Sequence, residues 1–153
     1  MCLHLEDQIV IAIEFYHARV IHKHGKTKIL LAFGESIGGN NEITGWLIQN
    51  GYPELAALSH AIQGSDEAFL WLMKNNFPEL AALDSAIDED PKAYEWLKNS
   101  NYLFHIVFAE CCRGKKEAIE WMMQRNLHAL IRIAQKIKHL RDSQTFDYHK
   151  LHF

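Results

Sequence analysis

The sequence has few of the residues that interrupt regular structure and little excess charge. It holds three prolines and eight glycines among 153 residues, and its formal net charge is −3. That composition excludes a low-complexity or mostly disordered chain, and 48% hydrophobic residues are enough to form a continuous core. We therefore expect one globular domain.

Long apolar runs and a leader pattern are also missing. The longest aliphatic run near the start is residues 9–13, against the roughly 20 apolar residues of a membrane-spanning helix. The first ten residues carry Glu6 and Asp7 but no Lys or Arg, unlike a secretory signal. Three cysteines, two of them adjacent, do not form a disulfide framework. These features predict a cytoplasmic protein that does not associate with membranes.

What the sequence does contain is an internal repeat. Its four tryptophans stand at positions 46, 71, 96 and 121, at intervals of 25 residues. Residues 46–70 (WLIQNGYPELAALSHAIQGSDEAFL) and 71–95 (WLMKNNFPELAALDSAIDEDPKAYE) are identical at 12 of 25 aligned positions. The blocks that begin at Trp96 and Trp121 keep the pattern with more differences, and a partial copy precedes Trp46.

Each repeat predicts two short helices. Pro53 and Pro78 precede Glu-Leu-Ala-Ala-Leu, and proline is favoured in the first helical turn. Ser65, Asp90 and Asn40 have the side chains that cap a second helix. A left-handed residue, which Gly and Asn tolerate, is expected where each second helix ends. The residues that share this position are Gly51, Asn76, Asn101 and Asn126.

Stacking of these helices predicts an α-solenoid. Helices of about ten residues are marginal alone, and four to five stacked units would make a short rod or arc on the order of 40–50 Å long. The predicted single all-α domain has repeats at 26–141, an N-terminal capping helix within 1–25, and a C-terminal tail at 142–153. A closing helix is expected over 128–141.

The 25-residue unit, with Trp-Leu, Pro-Glu-Leu-Ala-Ala-Leu and a Ser or Asp cap, resembles compact bacterial α-helical repeats. It is similar in length to the leucine-rich-variant repeat of paired short helices. Ankyrin, tetratricopeptide and HEAT repeats are longer. The resemblance covers residues 26–140, and it implies recognition of a partner rather than a reaction.

Several residues of types that often take part in catalysis or ligand binding have structural explanations in this sequence. Cys111 and Cys112 stand at the repeat positions of Ala61 and Ile62, which favours packing in the core. The segment 34–41 (GESIGGNN) lacks the Gly-Lys-Ser/Thr ending of a phosphate loop and is typical of a turn. The tryptophans lie in an apolar stripe, which favours a scaffold over a ligand-stacking surface.

The ten histidines do not make an interpretable site. Two groups could be imagined to hold a metal, namely His17, His22 and His24, and His149 and His152. Neither has a convincing set of ligands, and no Ser-His-Asp or Cys-His grouping can be assigned. We therefore predict no metal, no cofactor and no catalytic residue. An enzyme or metal protein remains a third hypothesis.

Charge is unevenly distributed along the chain. Residues 50–112 carry ten acidic residues against three lysines, a net charge of −7, whereas residues 113–141 have a net charge of +6. Solvated faces explain most such clusters. The functional alternatives are an acidic surface for a basic partner and a basic surface for nucleic acid or an acidic partner.

The segment Tyr102–Ala109 breaks the repeat pattern because it is apolar nearly all round. Such a helix needs a cover. The tail, with Phe146, Tyr148, Leu151 and Phe153, is one candidate, since it is always present at high effective concentration. A homodimer or partner surface is the other.

The main hypothesis is a non-enzymatic repeat protein that binds another macromolecule, and a protein partner is favoured because repeats create extended surfaces. The predicted protein-binding residues are expected to be exposed on the first helix of the repeats: Glu54, His60, Glu79, Asp84, Asp88 and Glu110. The alternative is nucleic-acid binding through the basic end. Its residues are Arg113, Lys115, Lys116, Arg125, Arg132, Lys136, Lys138 and Arg141.

Overall fold

The computed structural model describes residues 25–150, and within them all side chains except those of residues 26 and 145–150. This part of the chain is α-helical and contains no strand. Its helices are α1 (Lys26–Ile37), α2 (Asn41–Gln49), α3 (Pro53–Ile62), α4 (Asp66–Lys74), α5 (Pro78–Ile87), α6 (Pro91–Asn99), α7 (Leu103–Cys112), α8 (Lys116–Gln124) and α9 (His128–Lys150). The predicted all-α class is confirmed for this range. The capping helix expected within 1–25 lies outside it, apart from Gly25.

None of the helices in the described range is long and apolar enough to cross a membrane.

The helix boundaries follow the local signals in the sequence. Asn40, Ser65 and Asp90 each cap the next helix through a side-chain oxygen that accepts a backbone N–H at 2.8–3.3 Å. Pro53 and Pro78 each occupy the first turn of a helix. The left-handed residues are confirmed by their φ angles, which are 91°, 66°, 62° and 57° for Gly51, Asn76, Asn101 and Asn126.

The odd-numbered helices close into a ring. α1 packs against α3, α3 against α5, α5 against α7, and α7 against α9. α9 then returns to α1, where Lys136 Nζ donates to the Gly34 carbonyl at 3.3 Å and pairs with Glu35 at 2.9 Å. An open rod would keep the first and last of these helices apart, so the expectation of a rod or open arc is wrong.

The core lies inside this ring. Each odd helix contributes buried side chains to one contiguous apolar cluster, and two of them on each helix lie one turn apart. One layer holds Phe33, Leu58, Leu83, Phe108 and Ile133, and the other holds Ile37, Ile62, Ile87, Cys112 and Ile137; all are at most 5% exposed. Burial on this scale stabilises helices that would be marginal alone, at roughly 25 cal/mol per Å² of apolar surface.

The even-numbered helices form the outside of the ring. Each packs between two odd helices, and each buries one side chain completely. These side chains are Leu47, Leu72, Leu97 and Met122. The opposite sides of the even helices face solvent and carry several exposed apolar residues.

The closing helix is longer than predicted, because α9 continues to Lys150 instead of ending near residue 141. No Pro or Gly interrupts residues 138–150. Lys138 and Asp142 form an i,i+4 pair at 2.6 Å, which supports the extra turns. Beyond the ring, α9 crosses the carboxyl ends of neighbouring helices: Arg141 reaches Asp84 of α5, and Gln144 Nε2 donates to the carbonyl of Gln63 after α3 at 3.3 Å.

The apolar segment Tyr102–Ala109 has a cover within the chain. α7, which contains most of it, packs against α5, α8 and α9. Phe108 and Ala109 are buried, and residues 102–107 are half-buried. The tail side chains proposed as the cover, from Phe146 onward, lie outside the described side chains. Association of two copies through this segment stays a prediction.

Candidate protein-binding groove

An open groove of about 400 Å³ lies on the outside of the ring, between α2 and α4. Its floor and walls are formed mostly by small and apolar side chains, with three polar groups among them. The lining residues are Ile48, Pro53, Ala56, Ala57, His60, Ser65, Glu67, Ala68 and Trp71. A concave, largely apolar surface with a few polar groups is the usual form of a binding site.

Local sequence explains the shape of this groove. Ala56 and Ala57 of α3 and Ala68 of α4 present only methyl groups, so the floor stays low between the two outer helices. The Trp71 ring forms a wall and stacks on Phe77 at a centroid distance of 5.9 Å. That stacking fixes the orientation of the indole, and such aromatic pairs contribute about 0.5–1.5 kcal/mol beyond their area.

The tryptophans are neither fully buried core residues nor free rings. Trp46, Trp71 and Trp96 each stack on the aromatic side chain six residues later, with centroid distances of 6.4, 5.9 and 5.7 Å. Trp121 is covered by the Arg125 guanidinium, 3.7 Å above its ring. Each ring therefore packs on a neighbouring side chain but keeps an accessible part, and Trp96 is 39% exposed.

Three of the six predicted protein-binding residues are buried. Glu54, Glu79 and Asp84 are 5%, 6% and 8% exposed, so the expectation that they lie on the surface is wrong. Burial raises the pKa of Glu54 above its usual value. One signal in the sequence pointed this way: the position of Glu54 and Glu79 is filled by Phe104 in the next repeat, which is typical of a covered site.

The other three of those residues are accessible but lie apart. His60 is exposed and lines the groove. Glu110, at the same repeat position two repeats later, is half-buried and pairs with Lys115 at 3.5 Å. Asp88 is exposed at the end of α5. Only His60 therefore belongs to the groove.

Asp84 and Asp88 are held by α9 rather than presented to a partner. Arg141 lies 3.1 Å from Asp84 Oδ1 and 3.3 Å from Asp88 Oδ2. Burial raises the pKa of Asp84 to about 6, although the Arg141 guanidinium opposes this shift and the Asp88 carboxylate adds to it. This pair is an internal contact of the ring.

Most side chains of the predicted basic surface also have partners within the chain. Arg113 donates to the Tyr94 hydroxyl at 2.9 Å and pairs with Glu89 at 3.2 Å. Lys116 pairs with Glu120 at 3.8 Å. The contacts of Lys115, Arg125, Lys136, Lys138 and Arg141 are given above. Arg132 is exposed, and the described residues show no such contact for it.

The cysteines have the core role expected from their repeat positions. Cys111 and Cys112 are 3% and 2% exposed, and burial raises the pKa of both thiols. A thiol in this state is a poor nucleophile because the reactive thiolate is disfavoured. The described residues contain no group of three His, Cys, Asp or Glu side chains able to hold a metal ion. The two histidine groups considered from the sequence lie outside the described side chains.

Of the groove residues, the sequence predicted only His60, and the missed residues that matter most are Ile48 and Glu67 on the outer helices. Both belong to the second helix of a repeat, whereas the predicted residues were all assigned to the first helix.

Comparison of the chain with protein-family models, with curated proteins and with solved structures finds no match.

Proposed function

We propose that this chain is a non-enzymatic, cytoplasmic protein-binding module built of 25-residue helix-pair repeats. The similarity of residues 46–70 and 71–95 supports the repeat, and so do the regular starts of α3, α5, α7 and α9 at Pro53, Pro78, Leu103 and His128. In this proposal the repeats close on themselves, and binding takes place on the outer surface.

The observation that carries the binding function is the α2–α4 groove. It combines an apolar floor with Ile48, which is 54% exposed at its edge. Exposed apolar surface next to a concavity is costly to leave in water and is typical of an interaction site. The basic end supports nucleic-acid binding less well, because most of its side chains already contact acidic or aromatic groups of the chain.

The function is tested by recovering native partners from the source cell with the full-length protein and two variants. Ile48→Asp places a charge at the groove. Met123→Asp is the matched control, because Met123 has the same repeat position on α8 and is 53% exposed, against 54% for Ile48. We expect proteins captured by the wild type and by Met123→Asp to be lost with Ile48→Asp.

Two results would contradict this proposal. One is an identical set of captured proteins with all three chains. The other is capture of nucleic acid that survives Ile48→Asp and disappears when Arg113, Lys115 and Lys116 are changed to Ala.

A further inference from the structure

The apolar surface continues beyond the groove. Met73 and Trp96 have the repeat positions of Ile48 and Trp71, one outer helix further on, and are 50% and 39% exposed. Leu70 is 53% exposed and lies one turn before Met73, on the same side of α4. Ile48, Leu70, Trp71, Met73 and Trp96 form what we call the apolar track, which runs over α2, α4 and α6.

The track fits a helix better than an extended peptide. A peptide strand binds by pairing with the edge of a sheet, and the described residues form no sheet. An amphipathic helix instead inserts apolar anchors spaced three or four residues apart between neighbouring helices. Flexible side chains such as Met73 adapt to such anchors.

The acidic first turn of α4, beside the groove, determines the sign of the partner, because the exposed Lys74, Lys92 and Lys98 offset the acidic residues elsewhere on α4 and α6. Glu67 lines the groove, and it stands with Asp66 in the exposed first turn of α4. Among the described residues, neither carboxylate takes part in an ion pair or a side-chain hydrogen bond. Glu95 on α6 is also exposed, whereas Asp88 and Glu89 before α6 are already paired with Arg141 and Arg113. A cationic partner would be attracted to this surface and a negatively charged one repelled.

We propose that the occupant of the α2–α4 groove is a basic amphipathic helix of another protein, with its apolar side on the track and its Lys or Arg residues against Glu67 and Asp66. This rests on the proposed protein-binding function and adds the chemistry of the partner. The chain's own residues 1–24 have three acidic residues against one Arg and one Lys, which does not match the acidic first turn of α4. A second copy with its own groove on this groove would bring the two acidic first turns of α4 together.

The probe is a fluorescently labelled 18-residue amphipathic helix made of leucine and lysine. Two companion peptides have the same length, one with every lysine replaced by glutamate and one with the leucines scattered so that no apolar side forms. Binding to the full-length chain is measured by fluorescence anisotropy at low and moderate salt. We expect the basic helix to bind at least about tenfold more tightly than either companion, with affinity falling as salt rises.

Two pairs of variants locate the binding. Ile48→Asp should weaken the basic helix at least about tenfold, as expected for a central apolar contact, whereas Met123→Asp should leave it unchanged. Glu67→Gln should weaken it about two- to fivefold, the range of an exposed ion pair. Glu117→Gln is the control, because Glu117 is exposed in the first turn of α8 at the same repeat position.

The outcomes separate this inference from the proposed function. If the glutamate peptide or a captured protein without basic residues binds better, and Ile48→Asp abolishes that binding, the basic helix is wrong and the protein-binding groove stands. If sedimentation shows a dimer that Ile48→Asp dissociates, the occupant is a second copy and the inference fails. If the basic helix binds only a chain lacking residues 1–24, the occupant is the start of the chain itself and the inference also fails. If no peptide binds and native capture is also insensitive to Ile48→Asp, both proposals fail.

Discussion

At the scale of single residues, acidic side chains of the same type lie in very different environments. The side chains of Glu54, Glu79 and Asp84 end in the same carboxylate group as the exposed Asp88, yet all three are buried. Burial of a carboxylate depends on what lies opposite it. For Asp84 the partner is Arg141, which is 57 residues away in sequence.

The pH dependence of stability offers a test of the environment of Asp84. Because the pKa of Asp84 is raised from 3.8 to about 6 in the folded state, the folded chain binds the proton more tightly than the unfolded chain. This contribution to stability is fully present below pH 3.8 and is lost as the pH rises through about 6. Asp84→Asn cannot ionise, so at pH 7 it should be more stable than the wild type by about 2–3 kcal/mol, a difference that closes by pH 4.

The comparison is made by urea unfolding of both chains at several pH values. Using the difference between them cancels the contribution of His105, whose pKa is lowered to about 4 by burial and which acts with the opposite sign. Arg141→Met should destabilise the fold at pH 7, and less so at pH 5, because it leaves the Asp84 carboxylate without its partner. A difference between wild type and Asp84→Asn that grows on acidification would show that Arg141 outweighs burial.

At the scale of the elements, the turn between the two helices of each repeat has one unusual member. Gly39, Gly64 and Gly114 have positive φ angles at this position, and in the remaining repeat it is Glu89, with a φ of 66°. A side chain with a Cβ is disfavoured in this region by about 1–2 kcal/mol. Glu89 is 71% exposed and makes one ion pair, with Arg113, which offsets little of that strain.

We therefore expect Glu89→Gly to stabilise the protein by about 0.5–1 kcal/mol, measured as an increase in the free energy of unfolding. Glu89→Gln is the control for the ion pair, since it keeps the Cβ and should change stability by less than about 0.5 kcal/mol. Equal effects of the two substitutions would mean that the charge, and not the backbone, determines the result.

At the scale of the whole molecule, closure changes what each end of the chain does. In an open array each repeat contacts only its neighbours, and the two ends unfold independently. Here α9 packs against α1 as well as α7. This packing brings basic residues of α9 against acidic residues from earlier in the chain. Arg141 pairs with Asp84 and Asp88, and Lys136 pairs with Glu35.

Ile137→Ala tests this closure. Ile137 is fully buried in the core of the ring, so the substitution should cost about 2–4 kcal/mol. Because α9 joins both ends, amide hydrogen exchange should accelerate in α1 as well as in α7 and α9. Gln135→Ala, at an exposed position of α9, serves as the control. Faster exchange confined to α7–α9, with α1 unchanged, would contradict a closed ring.

Much of the local structure was determined by the sequence alone. Helix starts at Pro53 and Pro78, the caps at Asn40, Ser65 and Asp90, and the left-handed turns depend on neighbouring residues only, and all were predicted correctly. The core role of Cys112 followed from its repeat position, because a helix period specifies which side of each helix is apolar.

The remaining features depend on contacts between distant parts of the chain. That α9 returns to α1, that Asp84 is buried against Arg141, and that Ile48 and Trp71 line one groove all depend on the curvature accumulated over successive helices. Small differences in packing angle at each interface add up around the stack. The total of these angles cannot be read from any single repeat. The sequence therefore predicts the helices and their apolar sides, whereas the closure of the ring and the groove depend on the packing of all the helices together.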